Sequence, residues 1–155
     1  QVEASHLFGA PAAGMSVTEP DLADWLAALD RAVRPGTVLV AHSLGCLATL
    51  TWMLRHPGVA GGAFLVAAPD PDQADFPASI TGFSRPTGRL TDPAVMVGSR
   101  DDPHASWEFT VDLAASLGAE LVDEGMAGHL SLASGRGPWP RGRRLLDDLL
   151  IEVGP

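Results

Sequence analysis

One segment, residues 37–55, constrains the fold of this chain more than any other. Residues 37–41 form an apolar and β-branched run that is too short for a helix and lacks polar alternation, which predicts a strand buried on both faces. From Leu44 onward, apolar residues recur at helical spacing until Pro57 and Gly58, which stop a helix and permit a turn. A buried strand that runs almost directly into a helix is typical of a parallel sheet covered by helices.

The rest of the chain repeats this alternation. Thr18, with Asp21 three places on, predicts the start of an amphipathic helix that ends at Pro35. Residues 69–93 contain five prolines and no sustained periodicity, which predicts a long functional insert. Further strands are predicted at residues 2–8, 61–68, 94–98 and 120–123, a loop at 9–14, and further helices at 107–117 and 140–151. The sequence therefore predicts a single domain over residues 1–155, a three-layer α/β/α sandwich with a mostly parallel sheet.

Composition and charge narrow the class of protein. With 46% hydrophobic and 19% charged residues, the chain has the composition of a globular domain. A formal net charge of −9 argues against nucleic acid or an anionic membrane surface as the partner. No run approaches the ~18 apolar residues that a membrane helix needs, so we expect a cytoplasmic protein. All basic residues are Arg and none is Lys, which suggests a GC-rich bacterial source. The sequence does not indicate an oligomeric state.

Cysteine and histidine usage gives no reason to expect a metal or a cofactor. The single Cys46 excludes an internal disulfide and a multi-cysteine metal site. The five histidines lack the His-x-His or His-x-x-x-His spacing of metal ligands. We therefore predict no metal and no cofactor, and we interpret Cys46 as a core residue rather than a second nucleophile.

Three polar positions follow successive predicted strands. Ser43 follows residues 37–41, the pair Asp101 and Asp102 follows residues 94–98, and His129 follows residues 120–123. Ligands of such sheets bind beyond the carboxyl ends of the strands, so these side chains are candidates for one site. A serine, a histidine and an aspartate can act as nucleophile, general base and orienting acid. We favour Asp102 as the acid because it precedes Pro103, and Asp101 is the alternative.

The turn at Ser43 has the residues of a sharp strand-to-helix elbow. Ala41 and Gly45 lie two positions before and after the serine, where the sharp turn needs small residues because we expect Cβ atoms to clash with the neighbouring strand and helix. A helix that begins after Ser43 directs its first amides toward the site, so the backbone N–H of Leu44 is the predicted oxyanion donor.

Each of these positions also has a purely structural interpretation. A serine that opens a helix is most often an N-cap, and one of the two aspartates would cap the helix that starts near Ser106. His129 could be an ordinary loop residue. Among the remaining side chains, we expect His42 to pack beside the elbow, His56 to lie at a helix C-terminus, His104 to border the pocket, and Trp139 to anchor the last helix or form a pocket wall.

Several motifs together resemble a known family. They are Ala-His-Ser-Leu-Gly-Cys-Leu at 41–47, Arg-His-Pro at 55–57, Ser-Arg-Asp-Asp-Pro at 99–103, Ala-Gly-His at 127–129 and Ser-Gly-Arg-Gly-Pro-Trp-Pro at 134–140. From about Pro20 to near the C-terminus, the chain is similar to the bacterial relatives of retinoblastoma-binding protein nine, small serine hydrolases of the α/β-hydrolase fold. The resemblance implies Ser43 as nucleophile, Asp102 as acid and His129 as base.

The chain departs from that family at two places. Ser131 stands where the family has Asn two positions after the histidine. Family members also open with a strand, a Pro-Gly-rich loop that supplies a second oxyanion donor, a helix and another strand, whereas 19 residues precede Pro20 here. Either residues 2–8 and 9–14 replace that unit or the unit is absent, so the expected fold is an α/β-hydrolase fold shortened at the N-terminus.

The sequence favours a serine hydrolase that cleaves a small ester, or an amide, through an acyl-Ser43 intermediate. Two alternatives remain open at this stage. The same serine could transfer the acyl group to an alcohol or amine, or the chain could be a non-catalytic interaction protein that retains the fold, with the exposed insert 69–93 serving a partner.

Overall fold

The computed structural model describes residues 5–6, 19–135 and 137–154. The predicted loop at 9–14 and the predicted helix start at Thr18 lie outside the described residues. Of the strand predicted at 2–8, the described part is a two-residue strand. No helix in these described ranges is long and apolar enough to cross a membrane.

Five strands form one parallel sheet in the order β1-β2-β3-β4-β5. The strands are β1 Ser5–His6, β2 Val38–His42, β3 Gly62–Val66, β4 Ala94–Gly98 and β5 Glu120–Asp123, and the α-helices are α1 Leu22–Ala32, α2 Leu44–Arg55, α3 Trp107–Leu117 and α4 Pro140–Val153. Because every neighbouring pair of strands is parallel, all carboxyl ends lie at the same edge of the sheet. That edge carries the loops that contain Ser43, Asp102 and His129.

The side chains of the central strands alternate between two apolar cores. Leu39, Leu65 and Met96 pack with α1, α2 and α3 on one face of the sheet. Phe64 and Val97 are among the residues that pack with α4 on the other face. Every residue of β3 and β4 is buried, as expected for strands covered on both sides. The predicted three-layer α/β/α arrangement with a parallel sheet is therefore confirmed.

Helix α1 begins later than the capping pattern at Thr18 suggested. Asp21 is the N-cap, and its carboxylate accepts the amides of Ala23 (2.8 Å) and Asp24 (3.4 Å). The second Asp21 oxygen accepts the Thr81 hydroxyl at 2.7 Å. The sequence pattern missed this cap because Asp21 was interpreted as the third residue of a capping box rather than as the cap itself.

The insert at 69–93 contains no helix or strand, as its composition predicted. It is fixed at several points by backbone hydrogen bonds to other elements. The Asp70 amide donates to the His104 carbonyl (2.8 Å), the Thr81 amide to the Pro20 carbonyl (2.9 Å), and the Leu90 amide to the Leu117 carbonyl (2.9 Å). The first part of the insert is therefore held against the carboxyl edge of the sheet.

Candidate active site

Ser43 occupies a strained backbone conformation between β2 and α2. Its φ is 54° and its ψ is −129°, values that a non-glycine residue adopts at a cost of roughly 1–3 kcal/mol. The Ser43 amide donates to the Val66 carbonyl at 2.9 Å, which ties the turn to β3. Although Ser43 stands at the N-cap position of α2, its side chain makes no capping hydrogen bond. The structural interpretation of this serine as an ordinary N-cap is therefore wrong.

The small residues around the elbow are less constrained than the sequence suggested. A Cβ added to Gly45 would meet only the Ala41 Cβ, at 3.7 Å, which is ordinary van der Waals contact. Ala41 itself is fully buried and fits with its methyl group in place. The expected clash at these two positions is wrong, because the first turn of α2 leaves room for one methyl group beside β2.

Ser43, His129 and Asp102 form one hydrogen-bonded chain. The Nδ1 of His129 lies 3.0 Å from each carboxylate oxygen of Asp102, and its Nε2 lies 2.8 Å from the Ser43 Oγ. Since the carboxylate accepts the Nδ1 proton, Nε2 is free to accept the proton of the Ser43 hydroxyl. The Asp102 side chain is 3% exposed and that of His129 is 15% exposed. The three residues that the sequence placed after successive strands are thus brought together.

Asp101 has a different environment from its neighbour Asp102. Its Oδ1 accepts the Ser99 hydroxyl at 2.7 Å and the Gly128 amide at 2.8 Å. These hydrogen bonds, first that of Ser99 and then that of Gly128, lower the pKa of Asp101. The structure therefore brings Asp102, and not Asp101, to the ring of His129.

The expectation that one of the two aspartates caps α3 is wrong. Ser106 is the N-cap, and its hydroxyl accepts the Phe109 amide at 3.1 Å. Asp102 instead accepts the amide of His104 at 2.9 Å, a local turn that fixes the carboxylate beside His129. Both aspartates form hydrogen bonds to the loop that carries His129, and neither caps the helix.

Two serines hold the histidine loop in place, and sequence reasoning assigned no role to either. The buried Ser99 at the end of β4 accepts the Ala127 amide at 2.9 Å while its hydroxyl donates to Asp101. Ser134 accepts the His129 amide at 3.0 Å. Both serines occur in the motifs of the family resemblance, which was the only signal in the sequence. These bonds join residues far apart along the chain, so local pattern could not reveal them.

The imidazole rings of His42 and His104 flank that of His129. The ring centroid of His42 lies 4.8 Å from that of His129, and the ring of His104 packs edge-on at 4.5 Å. The Nε2–H of His42 also donates to the His129 carbonyl at 2.8 Å. Burial lowers the pKa of His42, which favours its neutral form. His42 thus packs beside the elbow as expected and in addition binds the backbone of His129.

The other singled-out side chains lie where the sequence suggested. His56 caps the C-terminus of α2, where its Nδ1–H donates to the Trp52 carbonyl at 2.9 Å. Cys46 is fully buried, and burial raises the pKa of its thiol to about 12. Such a thiol stays protonated near neutral pH, which agrees with a core residue.

Two cavities lie beside the hydrogen-bonded residues Ser43, His129 and Asp102. One has a volume of about 150 Å³ and contains the Ser43 side chain; its lining is Ser43, Leu44, Pro69, Gln73, Asp75, Phe76, Pro77, Ile80 and His104. The other, of about 430 Å³, is lined by His42, Val66, Leu130, Ser131, Leu132, Ala133, Gly137 and Trp139. His104 therefore borders the cavity at Ser43, as expected. Trp139 both packs on Phe64 beneath α4 and forms a wall of the larger cavity.

Leu44 is the first residue of α2, so its amide has no acceptor inside the helix. It lines the same cavity as Ser43, which is the position expected of an oxyanion donor. Residues 9–14, which would supply a second donor only if they replace the N-terminal unit of the family, lie outside the described residues. A role for the Leu44 amide stays a prediction.

Comparison with known proteins gives the family and the fold. A family model described as serine hydrolase matches residues 10–148. Among solved structures, a YdeN-like hydrolase from Pectobacterium atrosepticum is 28% identical, with 88% of this chain and 73% of that chain covered and a TM-score of 0.75. The ydeN gene product from B. subtilis is 26% identical, with coverages of 84% and 76% and a TM-score of 0.65.

A more distant structure extends the likeness in fold alone. An α/β hydrolase from the metagenome of lagoon sediments at Mar Chica, Morocco, is 15% identical, with 93% of this chain and 76% of that chain covered and a TM-score of 0.68. No curated protein matches the chain. The predicted α/β-hydrolase fold is confirmed by these structures.

Proposed function

The chain belongs to the serine hydrolase family, and from that premise we propose that it cleaves a small ester, or an amide, through an acyl-enzyme intermediate on Ser43. The observation that carries this proposal is the hydrogen-bonded chain from the Ser43 Oγ through His129 to Asp102. A serine held in a strained turn with its hydroxyl on a histidine, rather than on the helix it opens, has little structural use.

The first half of the reaction transfers the acyl group to Ser43. The Oγ attacks the carbonyl carbon of the substrate as the Nε2 of His129 takes the hydroxyl proton. The carbonyl oxygen becomes negatively charged and accepts a hydrogen bond from the Leu44 amide. When the tetrahedral intermediate collapses, His129 gives its proton to the departing alcohol or amine, and the acyl group stays on Ser43.

Water completes the cycle in the second half. His129 takes a proton from a water molecule whose oxygen attacks the acyl carbon, and it returns that proton to the Ser43 Oγ as the acid is released. Throughout both halves Asp102 accepts the Nδ1 proton of His129, which fixes the ring orientation and stabilises the imidazolium. The near-complete burial of the Asp102 carboxylate strengthens this interaction by excluding water.

Labelling with a fluorophosphonate probe tests the role of Ser43. We expect the probe to label the wild type and not Ser43→Ala, while the control Ser116→Ala on the outer side of α3 is labelled like the wild type. In parallel, His129→Ala should abolish the hydrolysis of a p-nitrophenyl ester and leave the circular dichroism spectrum unchanged. Equal labelling of the wild type and Ser43→Ala, or undiminished turnover by His129→Ala, would contradict the proposal.

Narrower assignments stay predictions from the sequence. They are the relation to retinoblastoma-binding protein nine, a bacterial source and a cytoplasmic location. The choice of water rather than an alcohol or amine as acyl acceptor is also part of the proposal, and product analysis with competing acceptors tests it.

A further inference from the structure

The lining of the cavity at Ser43 indicates which part of the substrate the cavity can hold. Ser43, Leu44 and His104 are part of its wall, whereas His129, whose Nε2 lies 2.8 Å from the Ser43 Oγ, is not. A departing alcohol must lie within hydrogen-bond reach of the His129 Nε2 that protonates it. The leaving group therefore occupies the His129 side of Ser43, and the cavity is left for the acyl chain.

The walls of this cavity come from the start of the insert and are fixed before any substrate binds. Hydrogen bonds within the insert join the Gln73 amide to the Asp70 carbonyl, the Phe76 amide to the Gln73 carbonyl and the Ile80 amide to the Pro77 carbonyl. The anchors described above hold Asp70 to His104 at one end and Thr81 to Pro20 and Asp21 at the other. A wall held at both ends can impose a size limit on what it binds.

The chemistry of the lining favours an uncharged apolar group. The insert contributes the apolar residues Pro69, Phe76, Pro77 and Ile80 to the lining, and Gln73 and Asp75 are its polar residues there. Asp75 is exposed, so it lies where a charged end of a bound chain would meet it. A carboxylate at that end would be repelled by Asp75, because like charges at a few ångströms disfavour each other even in water.

The volume of the cavity limits the length of the acyl chain that it can hold. A cavity of about 150 Å³ matches an apolar group of roughly six carbon atoms, since cavities of that size in other proteins hold benzene. Resting on the function proposed above, we propose that this cavity is the acyl-binding pocket of the enzyme and that it selects uncharged, apolar acyl chains of up to about six carbons.

A chain-length series of p-nitrophenyl esters tests the size limit. From acetate to hexanoate, kcat/KM should rise about two- to fourfold for each added methylene, as expected for partial to full burial of that group. From octanoate to decanoate it should rise no further. Filling the cavity with Ile80→Trp should end the rise at butyrate or earlier, whereas the control Ile151→Trp, at a site 78% exposed on α4, should keep the wild-type profile.

A second comparison tests the charge preference without altering the shape of the wall. The wild type should prefer p-nitrophenyl hexanoate over the mono-p-nitrophenyl ester of adipic acid, which has the same chain length and a terminal carboxylate. Asp75→Asn should narrow that preference by about fivefold, the effect of roughly one unit charge at an exposed site. The exposed Asp112→Asn on α3 is the matched control and should leave the ratio unchanged.

The outcomes separate this inference from the function on which it rests. If turnover depends on Ser43 but kcat/KM is flat or keeps rising through decanoate, the pocket assignment is wrong and the hydrolase proposal stands. An Ile80→Trp variant that folds and keeps the wild-type chain-length profile would also show that the pocket assignment is wrong. If that variant fails to fold, the wild-type ester series and the Asp75→Asn comparison still test the assignment. If Ser43→Ala hydrolyses the esters as well as the wild type, or the wild type hydrolyses none, both proposals fail.

Discussion

The loop that presents His129 bends at Gly128, and replacing that glycine tests how tightly the histidine must be held. Gly128 has a φ of +57°, and its amide donates to Asp101 at 2.8 Å. A Cβ at this position would lie 3.0 Å from both the Cβ and the Oγ of Ser134. Because the Ser134 Oγ accepts the His129 amide, any movement of Ser134 is passed to the histidine.

Gly125 provides a matched control in the same loop. Its φ is +73°, and a Cβ there would meet nothing within 4 Å. Both Gly125→Ala and Gly128→Ala place an alanine in the left-handed region, at a cost of about 1–2 kcal/mol in the free energy of unfolding. For a domain of this size that cost lowers Tm by roughly 2–8 °C. The two variants therefore share the backbone strain and differ in the contact with Ser134.

The shared strain should affect stability, and the contact should affect turnover. A displacement of a few tenths of an ångström at Ser134 should lower kcat about tenfold in Gly128→Ala, given that a 1 Å misplacement costs on the order of 100-fold. In Gly125→Ala we expect kcat to stay close to the wild-type value, because the added Cβ displaces no neighbouring atom. Thermal unfolding and p-nitrophenyl hexanoate turnover measure the two effects separately. Equal losses of kcat in the two variants, or wild-type kcat in Gly128→Ala, would refute the reasoning.

Three further predictions concern individual side chains. Asp102→Asn should lower kcat by about 10⁴-fold with KM unchanged, as for other triads. Asp101→Asn should instead mainly lower Tm. Similar losses of kcat in the two variants, measured by steady-state kinetics, would contradict the assignment of Asp102 to His129. Burial lowers the pKa of His42 from 6.5, so as the pH falls below 6.5 the unfolded chain takes up a proton before the folded chain does, and stability drops. Thermal unfolding across pH should show a smaller loss of stability at low pH for His42→Gln than for the wild type. The same pH dependence in both proteins would contradict burial of His42 as the cause. Native Cys46, with a pKa of about 12, should resist iodoacetamide at pH 8, and mass spectrometry showing rapid alkylation would be incompatible with its burial.

The sequence predicted the helices and strands closely where proline or glycine marks their ends. The bounds of α2, β4, α3 and β5 agree with the structure. Proline and glycine follow α2, glycine follows α3, and β4 itself ends at Gly98. Strands β3 and β4 are short apolar runs that the structure buries on both faces, so burial and pattern agree there.

The details of the site needed the tertiary structure. Asp101 and Asp102 are identical in type and adjacent, and only the direction of each side chain decides which one meets His129. The bonds from Ser99 and Ser134 join segments that the folded sheet brings together. The cap of α1 was missed because Asp21 fits two positions of the same capping pattern, and its bond to Thr81 crosses 60 residues of chain.

The unequal division of helices between the two faces of the sheet has a consequence for how the chain reaches its native state. Within the described residues, α4 is the helix that covers the face formed by Val38, Phe64 and Val95, and it is also the final helix in sequence. Chains emerge N-terminus first during synthesis. Helices α1, α2 and α3 can therefore pack on one face of the sheet before α4 is available to pack on the other. A ribosome that stalls before residue 140 would therefore leave the apolar side chains that α4 contacts without that helix, and chaperones could bind them.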